Sequence, residues 1–459
     1  MLKPLFIFLF TCFSFLIFAE TNVYKISMMS AEIGKSTETW SEVKTPDGSC
    51  ELVLKSVSEM NLARGFDSMS IKSDTTLYAD CITFEPKRIK GEISEGGAKV
   101  LVDGENRNGI FSTKITKNGN NETSSFKANK NAAFFGMIFR KLSENELLKG
   151  GKTSVISEES LTESEISYSA VKNADGTVSA TVIFQGIPIK YTVSGKKVLR
   201  SEIQNGLIVY TLDSMPENEP VRTTGSADIL QNTKLLNSGI TVKNPRKTQN
   251  TVFQIKTDDF ASIPETCFQK KGNNLLTVSS DSAQCKNLPA QEDTLQNIIE
   301  DSTNPEIVRA AKKIVTGAPN QTEMAKRIEK FVYKHISNKN YNHGNMSASE
   351  VLRMKSGDCT EHSALFAALG RAAGFPVKMV YGVVMNRNGE FFFHNWNEVF
   401  ADGKWITVDS TFDMFPADSS RITLIYGGSD SKSREQVSLS VLRFLSNTEI
   451  FVRGFSNEK

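Results

Sequence analysis

The chain is poor in the side chains that usually hold metal ions. Histidine occurs 4 times and cysteine 6 times in 459 residues. Neither a Cys-x-x-Cys nor a His-Glu-x-x-His spacing is present. Structural and catalytic zinc sites are built mainly from these side chains at such spacings. We therefore expect no metal site and no bound cofactor.

An excess of charge of one sign is also missing. The chain has 54 basic and 52 acidic residues, which gives a net charge of +2. The basic surface of a nucleic-acid-binding protein is therefore not indicated. Beyond the N-terminus no apolar run is long enough to cross a bilayer as a helix. The composition is that of a globular protein, and the length allows two to four domains.

Residues 1–19 form an apolar leader. Lys3 supplies a positive charge, the run from Leu5 to Phe18 is mostly apolar, and Ala19 precedes polar residues. This pattern is typical of a signal peptide, and the run is too short for a comfortable transmembrane helix. Cys12 lacks the small residues that precede a lipoprotein cysteine, so we assign it to the signal peptide. The sequence predicts an exported protein, periplasmic or extracellular.

Export changes what the other cysteines are expected to do. Apart from the leader cysteine and one discussed below, four remain, and four cysteines allow three pairings. Proximity in the sequence favours Cys50–Cys81 and Cys267–Cys285. Such bonds persist in an oxidising compartment. The alternative is four free, buried thiols.

Residues 20–150 have the pattern of antiparallel β structure. Turn signals recur along this region at Pro46-Asp47-Gly48, Glu95-Gly96-Gly97, Asp103-Gly104 and Asn118-Gly119. Closely spaced turns of this kind indicate a curved sheet or a sandwich. We expect its alternating residues to build a core on one face. A concavity that binds a ligand is the less favoured alternative.

A second β-rich region is predicted over residues 151–288. The polar stretch 149–152 marks a break before it, and strand-like runs cover 177–184 and 187–193. The two β-rich regions could also form one continuous domain, and the sequence leaves this open. The charged run 243–247 is expected to be a solvated loop.

Helical patterns begin at residue 289. Asn304-Pro305 and the capping box from Ser347 to Glu350 indicate helix starts. A further capping box, Asp358 to Glu361, places Cys359 in the first turn of an apolar helix. The free N–H groups and helix dipole there would favour a thiolate and could hold an oxyanion. Residues 437–452 are expected to return as one or two strands.

A hairpin then supplies a base and a carboxylate. Asp402-Gly403 is a two-residue turn signal, which makes the numbers of facing residues sum to 805. His394 and Asp409 are then diagonal neighbours on one sheet face, within reach of a hydrogen bond. Val408 would point to the opposite, solvent-facing side. We predict Cys359 as nucleophile, His394 as base and Asp409 as the group that orients the base.

These motifs together resemble the transglutaminase-like superfamily over roughly residues 290 to 430. The matching residues are Gly357-Asp358-Cys359, then His394, Trp396, Glu398 and Val399, then Trp405, Val408 and Asp409. The resemblance implies an α+β protein whose segment 289–459 holds a papain-like core, a helical half plus an antiparallel sheet, with C-terminal strands. It also implies catalytic roles for Cys359, His394 and Asp409.

The other motif residues and the remaining histidines have smaller predicted roles. Trp396 and Trp405 are expected to pack in the core, and Glu398 could pair with a nearby cation or lie at the sheet surface. His335 is expected to pack on its helix face. His343 and His362 lie near the motif without holding the position of the base.

The predicted function is acyl transfer or hydrolysis at peptide or protein amide bonds through a cysteine thioester. The family includes crosslinking enzymes, deamidases, peptidases and inactive members. The calcium loops of the animal crosslinking enzymes are not visible, so we expect no metal requirement. The expected partner is a protein or peptide substrate, and the oligomeric state is not indicated. The alternative is a non-catalytic module that binds a protein or a cell-wall peptide.

Overall fold

The computed structural model describes residues 15–28, 31–45, 48–64, 67–204, 206–213, 234–258, 260–281, 285, 287–340, 346–427, 431–446 and 448–457. Residues 1–14 of the predicted signal peptide, the predicted turn residues 46 and 47, and His343 lie outside these ranges. Within them, no helix is both long and apolar enough to cross a membrane.

The first fifteen strands form one continuous sheet. In chain order they are β1 Phe15–Met28, β2 Ala31–Lys44, β3 Cys50–Arg64, β4 Asp67–Asp80, β5 Pro86–Glu95, β6 Ala98–Arg107, β7 Ile110–Lys117, β8 Asn120–Lys127, β9 Ala133–Phe134, β10 Gly151–Ile156, β11 Glu163–Lys172, β12 Val178–Phe184, β13 Ile187–Ser194, β14 Lys197–Ile203 and β15 Ile208–Leu212. Their spatial order runs from β8 down to β1, then from β15 down to β9. The two predicted β-rich regions thus join through β1 and β15, as the continuous alternative proposed.

Almost every strand of this sheet pairs with the next one along the chain. The pairs are antiparallel except that of β9 with β10. Short turns allow this, as at Asn118 and Gly119, which both have positive φ. Two short helices, α1 Ile138–Lys141 and α2 Glu144–Lys149, follow β9. The buried α1 residues Ile138 and Phe139 pack with residues of β11 to β13 in one apolar cluster.

The C-terminal half combines five helices with two smaller sheets. The helices are α3 Pro305–Val315, α4 Gln321–His335, α5 Ala348–Met354, α6 Cys359–Ala372 and α7 Ser431–Ser446. The strands are β16 Leu235–Leu236, β17 Thr248–Lys256, β18 Gln269–Gly272, β19 Leu275–Ser279, β20 Val377–Met385, β21 Glu390–Ala401, β22 Lys404–Val408, β23 Arg421–Tyr426 and β24 Glu449–Asn457. One sheet has the order β16-β21-β20-β23, with β22 also beside β21, and the other has β18-β19-β17-β24.

Two strands that precede residue 289 pair with strands that follow it. Strands β16 and β17 lie in the predicted second β-rich region, yet β16 pairs with β21 and β17 pairs with β24 of the C-terminal half. Local turn signals identify a strand but carry no information about a partner so far along the chain. The two sheets of the C-terminal half therefore include strands from residue 235 onward.

The prediction of strands over residues 437–452 is wrong for its first part. Residues 431–446 form α7, and only β24 is extended. The alternation of Val437, Leu439 and Val441 imitates a strand. The buried residues Val437, Val441 and Phe444, however, recur at helical spacing.

Both predicted disulfides are present. The Cα atoms of Cys50 and Cys81 are 5.5 Å apart, and those of Cys267 and Cys285 are 5.0 Å apart. Part of the predicted signal peptide, residues 15–19, lies in β1 and pairs with β2. Cleavage after Ala19 would leave the remainder of β1 in place, and the signal peptide stays a prediction.

Candidate active site

Cys359 is the first residue of α6, as the capping box predicts. The Thr360 N–H donates to Asp358 Oδ1 at 2.7 Å, and the Asp358 N–H donates to Glu361 Oε2 at 2.9 Å. Gly357 has a φ of +142°, and a Cβ there would lie 2.4 Å from the Cβ of Glu361. Because no other residue fits this approach, the glycine lets the buried Glu361 close the box.

The helix is held against β21 by side-chain amides. Asn395 Nδ2 donates to Thr360 Oγ1 at 3.4 Å, and Asn397 Nδ2 donates to the Ser363 carbonyl at 3.2 Å. All residues of α6 from Glu361 to Gly370 are buried. The backbone N–H of Asn395 acts to lower the pKa of the Cys359 thiol. The thiol therefore lies beside the strand that carries His394.

The hairpin has the predicted register. Asn397 faces Val408 and Ala401 faces Lys404, and both central turn residues, Asp402 and Gly403, have positive φ. Val408, however, is fully buried rather than solvent-facing. It packs in the same apolar cluster as the α6 residues, because this sheet is covered on the side where the sequence alone suggested solvent.

The predicted contact between His394 and Asp409 is present. His394 Nε2 lies 2.8 Å from Asp409 Oδ2. The ring also stacks on Phe412, with 4.8 Å between ring centroids. Opposite His394, Gly382 leaves room for β23, since a Cβ there would lie 2.1 Å from the Ile422 carbonyl oxygen. The imidazole is therefore fixed from several sides.

Asp409 is a fully buried carboxylate. Burial acts to raise its pKa, but the positive charges of His394 and Arg421 outweigh this and hold the pKa well below its usual range. Arg421 Nη1 donates to Oδ2 at 2.7 Å, and the Thr411 N–H donates to Oδ1 at 3.0 Å. Because an ionised carboxylate only accepts, Nε2 is the nitrogen of His394 that donates to Asp409, and Nδ1 is the nitrogen that this contact leaves unused.

A buried ion network behind Asp409 was not predicted. Arg421 Nη2 donates to Asp418 Oδ2 at 2.7 Å, and Arg246 Nη1 donates to the same oxygen at 3.1 Å. The Arg246 guanidinium also lies over the Phe412 ring, 4.5 Å from its centroid. The run 243–247 was expected to be solvated, and for Arg246 this is wrong. A lone arginine in a charged run gives no sequence signal that its partner is a distant buried carboxylate.

The environment of the thiol differs from the expectation of a stabilised thiolate. Burial, followed by the Asp358 carboxylate, raises the pKa of Cys359 well above its usual value, and the Asn395 N–H opposes this only in part. The carboxylate of Asp358 also accepts hydrogen bonds from the N–H groups of Thr360 and Glu361. The sequence alone predicts that free N–H groups of this turn stabilise the thiolate. Activation of the thiol therefore depends on a base.

The other two described histidines have structural partners. His362 is buried, and its Nδ1 lies 2.5 Å from the Asp358 carbonyl oxygen. Burial lowers the pKa of His362 to about 4, so the ring is neutral near pH 7. His335 stacks on Phe331, with 4.7 Å between centroids, and its Nε2 lies 2.7 Å from the Leu352 carbonyl oxygen.

The aromatic and acidic motif residues complete the core. Trp396 and Trp405 are each 2% exposed and pack inside the protein. Glu398 is also buried and accepts a hydrogen bond from the Tyr426 hydroxyl at 3.0 Å. Burial raises the pKa of Glu398 to about 7, although the charge of Lys378 opposes the rise. Glu398 is therefore a buried sheet residue rather than a surface one.

One group of three potential metal ligands occurs within the described ranges. It consists of Glu42, Cys50 and Cys81. The two sulfurs are joined in a disulfide, so they are not available as thiolate ligands.

Comparison with known proteins supports the resemblance found in the sequence. Residues 308–410 match the family model of the Transglutaminase-like superfamily. This segment contains Cys359, His394 and Asp409, and it is transglutaminase-like. No curated protein matches the chain.

Two solved structures are similar to parts of the chain. A candidate cysteine protease from Cytophaga hutchinsonii has 15% identity and a TM-score of 0.29, covering 46% of this chain and 86% of its own. A candidate protease from Parabacteroides distasonis has 10% identity and a TM-score of 0.20, covering 68% of this chain and 64% of its own. At such scores neither likeness carries an argument about the site.

Proposed function

We propose that the protein is a cysteine enzyme that transfers or hydrolyses acyl groups of peptide or protein amides through a thioester on Cys359. One observation carries the proposal: a buried imidazole, His394, is oriented by an ionised carboxylate 2.8 Å away. It lies on the strand whose next residue, Asn395, donates through Nδ2 to Oγ1 of Thr360, the residue after Cys359, at 3.4 Å. This is the arrangement that a thiol nucleophile needs.

The proposed reaction has two steps. His394 Nδ1 takes the thiol proton as the sulfur attacks the amide carbonyl carbon, and the C–N bond breaks as His394 returns that proton to the leaving nitrogen. Water or an amine then attacks the thioester while His394 removes its proton. The C–S bond breaks, the acid or new amide leaves, and the thiol of Cys359 recovers its proton from His394.

The raised pKa of the thiol supports a general-base route. A neutral thiol needs a partner that removes its proton during attack, whereas a preformed thiolate would not. The negative charge on Asp409 stabilises the imidazolium that this transfer creates. We infer that Asp409 is the orienting residue and that Arg421 holds it in place.

Peptide turnover tests the proposal. A panel of glutamine-containing peptides would be incubated with and without an added primary amine, and the products identified by mass spectrometry. We expect cleavage, deamidation or an amine adduct that depends on Cys359. Absence of any product across the panel, or product unchanged in Cys359→Ala, would overturn the proposal.

A non-catalytic binding module is the second candidate. The observation in its favour is that burial and Asp358 raise the pKa of the Cys359 thiol. Such a module would bind a peptide without product and would retain that binding in His394→Ala. An enzyme would lose turnover in the same variant.

We also propose export to the periplasm or the cell exterior. The apolar leader 1–19 and the pairs Cys50–Cys81 and Cys267–Cys285 support it, because disulfides persist in oxidising compartments. Fractionation of cells with an antibody to the protein tests it. Recovery of the protein in the cytoplasm with residues 1–19 attached would contradict export.

A further inference from the structure

A cavity of about 220 Å³ lies in the N-terminal half, far in sequence from Cys359. It is enclosed between the inner face of the fifteen-stranded sheet and the segment Phe135–Arg140. Its walls are largely aromatic, with the rings of Tyr24, Trp40, Phe139, Tyr191 and Tyr210. None of the residues that line it belongs to the site described above.

One wall of the cavity carries a polar atom without a partner. Asn22 lines the cavity and is only 3% exposed. Its Nδ2 donates to Glu20 Oε1 at 3.2 Å, which fixes the orientation of the amide. Its Oδ1 has no hydrogen-bond partner among the described residues. A buried acceptor left in this state destabilises the empty site, so a donor in the cavity would be bound favourably.

Three charged residues of the cavity lining, Glu38, Arg140 and Lys197, already have partners, and the fourth, Lys196, is exposed. Arg140 forms an ion pair with Glu20, and its guanidinium lies 4.2 Å from the centroid of the Trp40 ring. Lys197 Nζ lies 3.9 Å from the same glutamate. Glu38 accepts a hydrogen bond from Trp40 Nε1 at 3.4 Å. An ionic ligand would have to compete with these contacts, whereas an uncharged one would not.

The size of the cavity sets the size of the ligand. An engineered apolar cavity of about 150 Å³ is known to hold benzene. The present cavity, at about 220 Å³, has room for a ring with a small substituent. Aromatic walls favour an aromatic ring through stacked and edge contacts.

We propose that this cavity binds a small uncharged aromatic group that carries one hydrogen-bond donor, with the donor bonded to Asn22 Oδ1. The group could be a free molecule or the end of a larger one. The site lies apart from Cys359, so its occupancy does not depend on the proposed function.

Binding of p-cresol and toluene to the full chain tests this proposal. The two probes have a similar ring and differ in the hydroxyl donor. We expect p-cresol to bind in the millimolar range or tighter by calorimetry or ligand-observed NMR. Asn22→Leu should weaken p-cresol binding by about tenfold while leaving toluene binding equal or stronger, because only the donor loses its partner.

Ser201→Phe provides a second variant, since Ser201 lines the cavity and a ring there would fill it. Both probes should lose binding. Ser169→Phe is the matched control, because Ser169 is exposed on the same sheet. This variant should bind both probes with the affinity of the wild-type protein. If Ser201→Phe does not fold, the proposal is still tested by Asn22→Leu. The ratio of p-cresol to toluene affinity in that variant is compared with the ratio in the wild-type protein. Absence of p-cresol binding, or equal effects of Asn22→Leu on both probes, would overturn the proposal.

Discussion

The two halves of the molecule differ in how far apart along the chain their paired strands lie. In the N-terminal sheet, β1 to β7 each pair with the next strand along the chain. In the C-terminal half, β21 pairs with β16 and β17 pairs with β24, which are far apart in the sequence. Pairing of neighbouring strands needs only short turns. Pairing of distant strands needs contacts that no local sequence pattern predicts. Function is proposed mainly for the half whose contacts are non-local.

Ion pairs chosen from the two halves also differ in how deeply their side chains are buried. On the N-terminal sheet, the side chains of the ion pair Lys72–Glu59 are each more than half exposed. Exposed pairs contribute about 0–1 kcal/mol. In the C-terminal half, Arg421 is buried between Asp409 and Asp418. Buried charges are costly unless every partner is present. Removing a charge should therefore matter far more in the second half.

The largest expected effect is that of Cys359→Ala. It removes only the sulfur of the first residue of α6, so circular dichroism and unfolding should change little. Turnover of any substrate found should be abolished, because no thioester can form. Residual activity within about tenfold of wild type would show that another residue is the nucleophile.

Asp409→Asn should reduce kcat by about 10²–10⁴-fold with little change in KM. The amide can present a donor where His394 needs an acceptor, so the ring would turn or adopt the other tautomer. Asp413→Asn is the control, because Asp413 pairs with Lys330 at the surface instead. A crippled Asp413 variant together with an active Asp409 variant would show that the orienting residue is misassigned.

Arg421→Gln should lower the free energy of unfolding by about 3–5 kcal/mol, because two buried carboxylates lose the cation that they share and keep only Arg246 and His394 as partners. Lys72→Gln in the N-terminal sheet is the matched removal of a paired cation, and it should cost at most about 1 kcal/mol. Urea unfolding measures both. Equal losses of unfolding free energy in the two variants would contradict the proposed electrostatic difference between the halves.

Replacing both Cys50 and Cys81 by serine should cost about 3–4 kcal/mol by loop entropy. The bond closes a loop with a sequence separation of 31 residues in the N-terminal sheet. Peptide turnover should be retained, since the bond is remote from the site. Mass mapping of non-reduced peptides gives the pairing itself, and four alkylatable thiols in protein from its native compartment would refute it.

Glu398→Gln should change how stability depends on pH. The folded-state pKa of about 7 lies above the ordinary 4.5, so the folded chain holds a proton that the unfolded chain has lost. This stabilisation is present below about pH 4.5 and is lost as pH rises through about 7. From pH 5 to pH 8 the variant should gain up to about 3 kcal/mol relative to wild type.

Exposed Glu449, which pairs with Lys256, supplies the control. Glu449→Gln should follow the wild-type pH dependence of stability. A Glu398→Gln curve parallel to wild type would show that Glu398 keeps its ordinary pKa in the fold.

The sequence predicts the parts of the site that depend on local rules. The capping box placed Cys359, and the two-residue turn set the register that joins His394 to Asp409. It could not predict Arg421, Asp418 and Arg246, because their contacts are fixed by the packing of distant strands. The burial of Val408 and the helix over 431–446 were missed for a related reason: alternation does not reveal which surface covers a residue.

The alkylation rate of Cys359 by iodoacetamide at pH 7 tests the central claim most directly. If His394, oriented by Asp409, removes the proton of the Cys359 thiol, Cys359 should be alkylated faster in the wild-type protein than in His394→Ala or Asp409→Asn. Asp413→Asn should react at the wild-type rate. A rate unchanged by His394→Ala and Asp409→Asn would contradict the enzyme and favour a binding module.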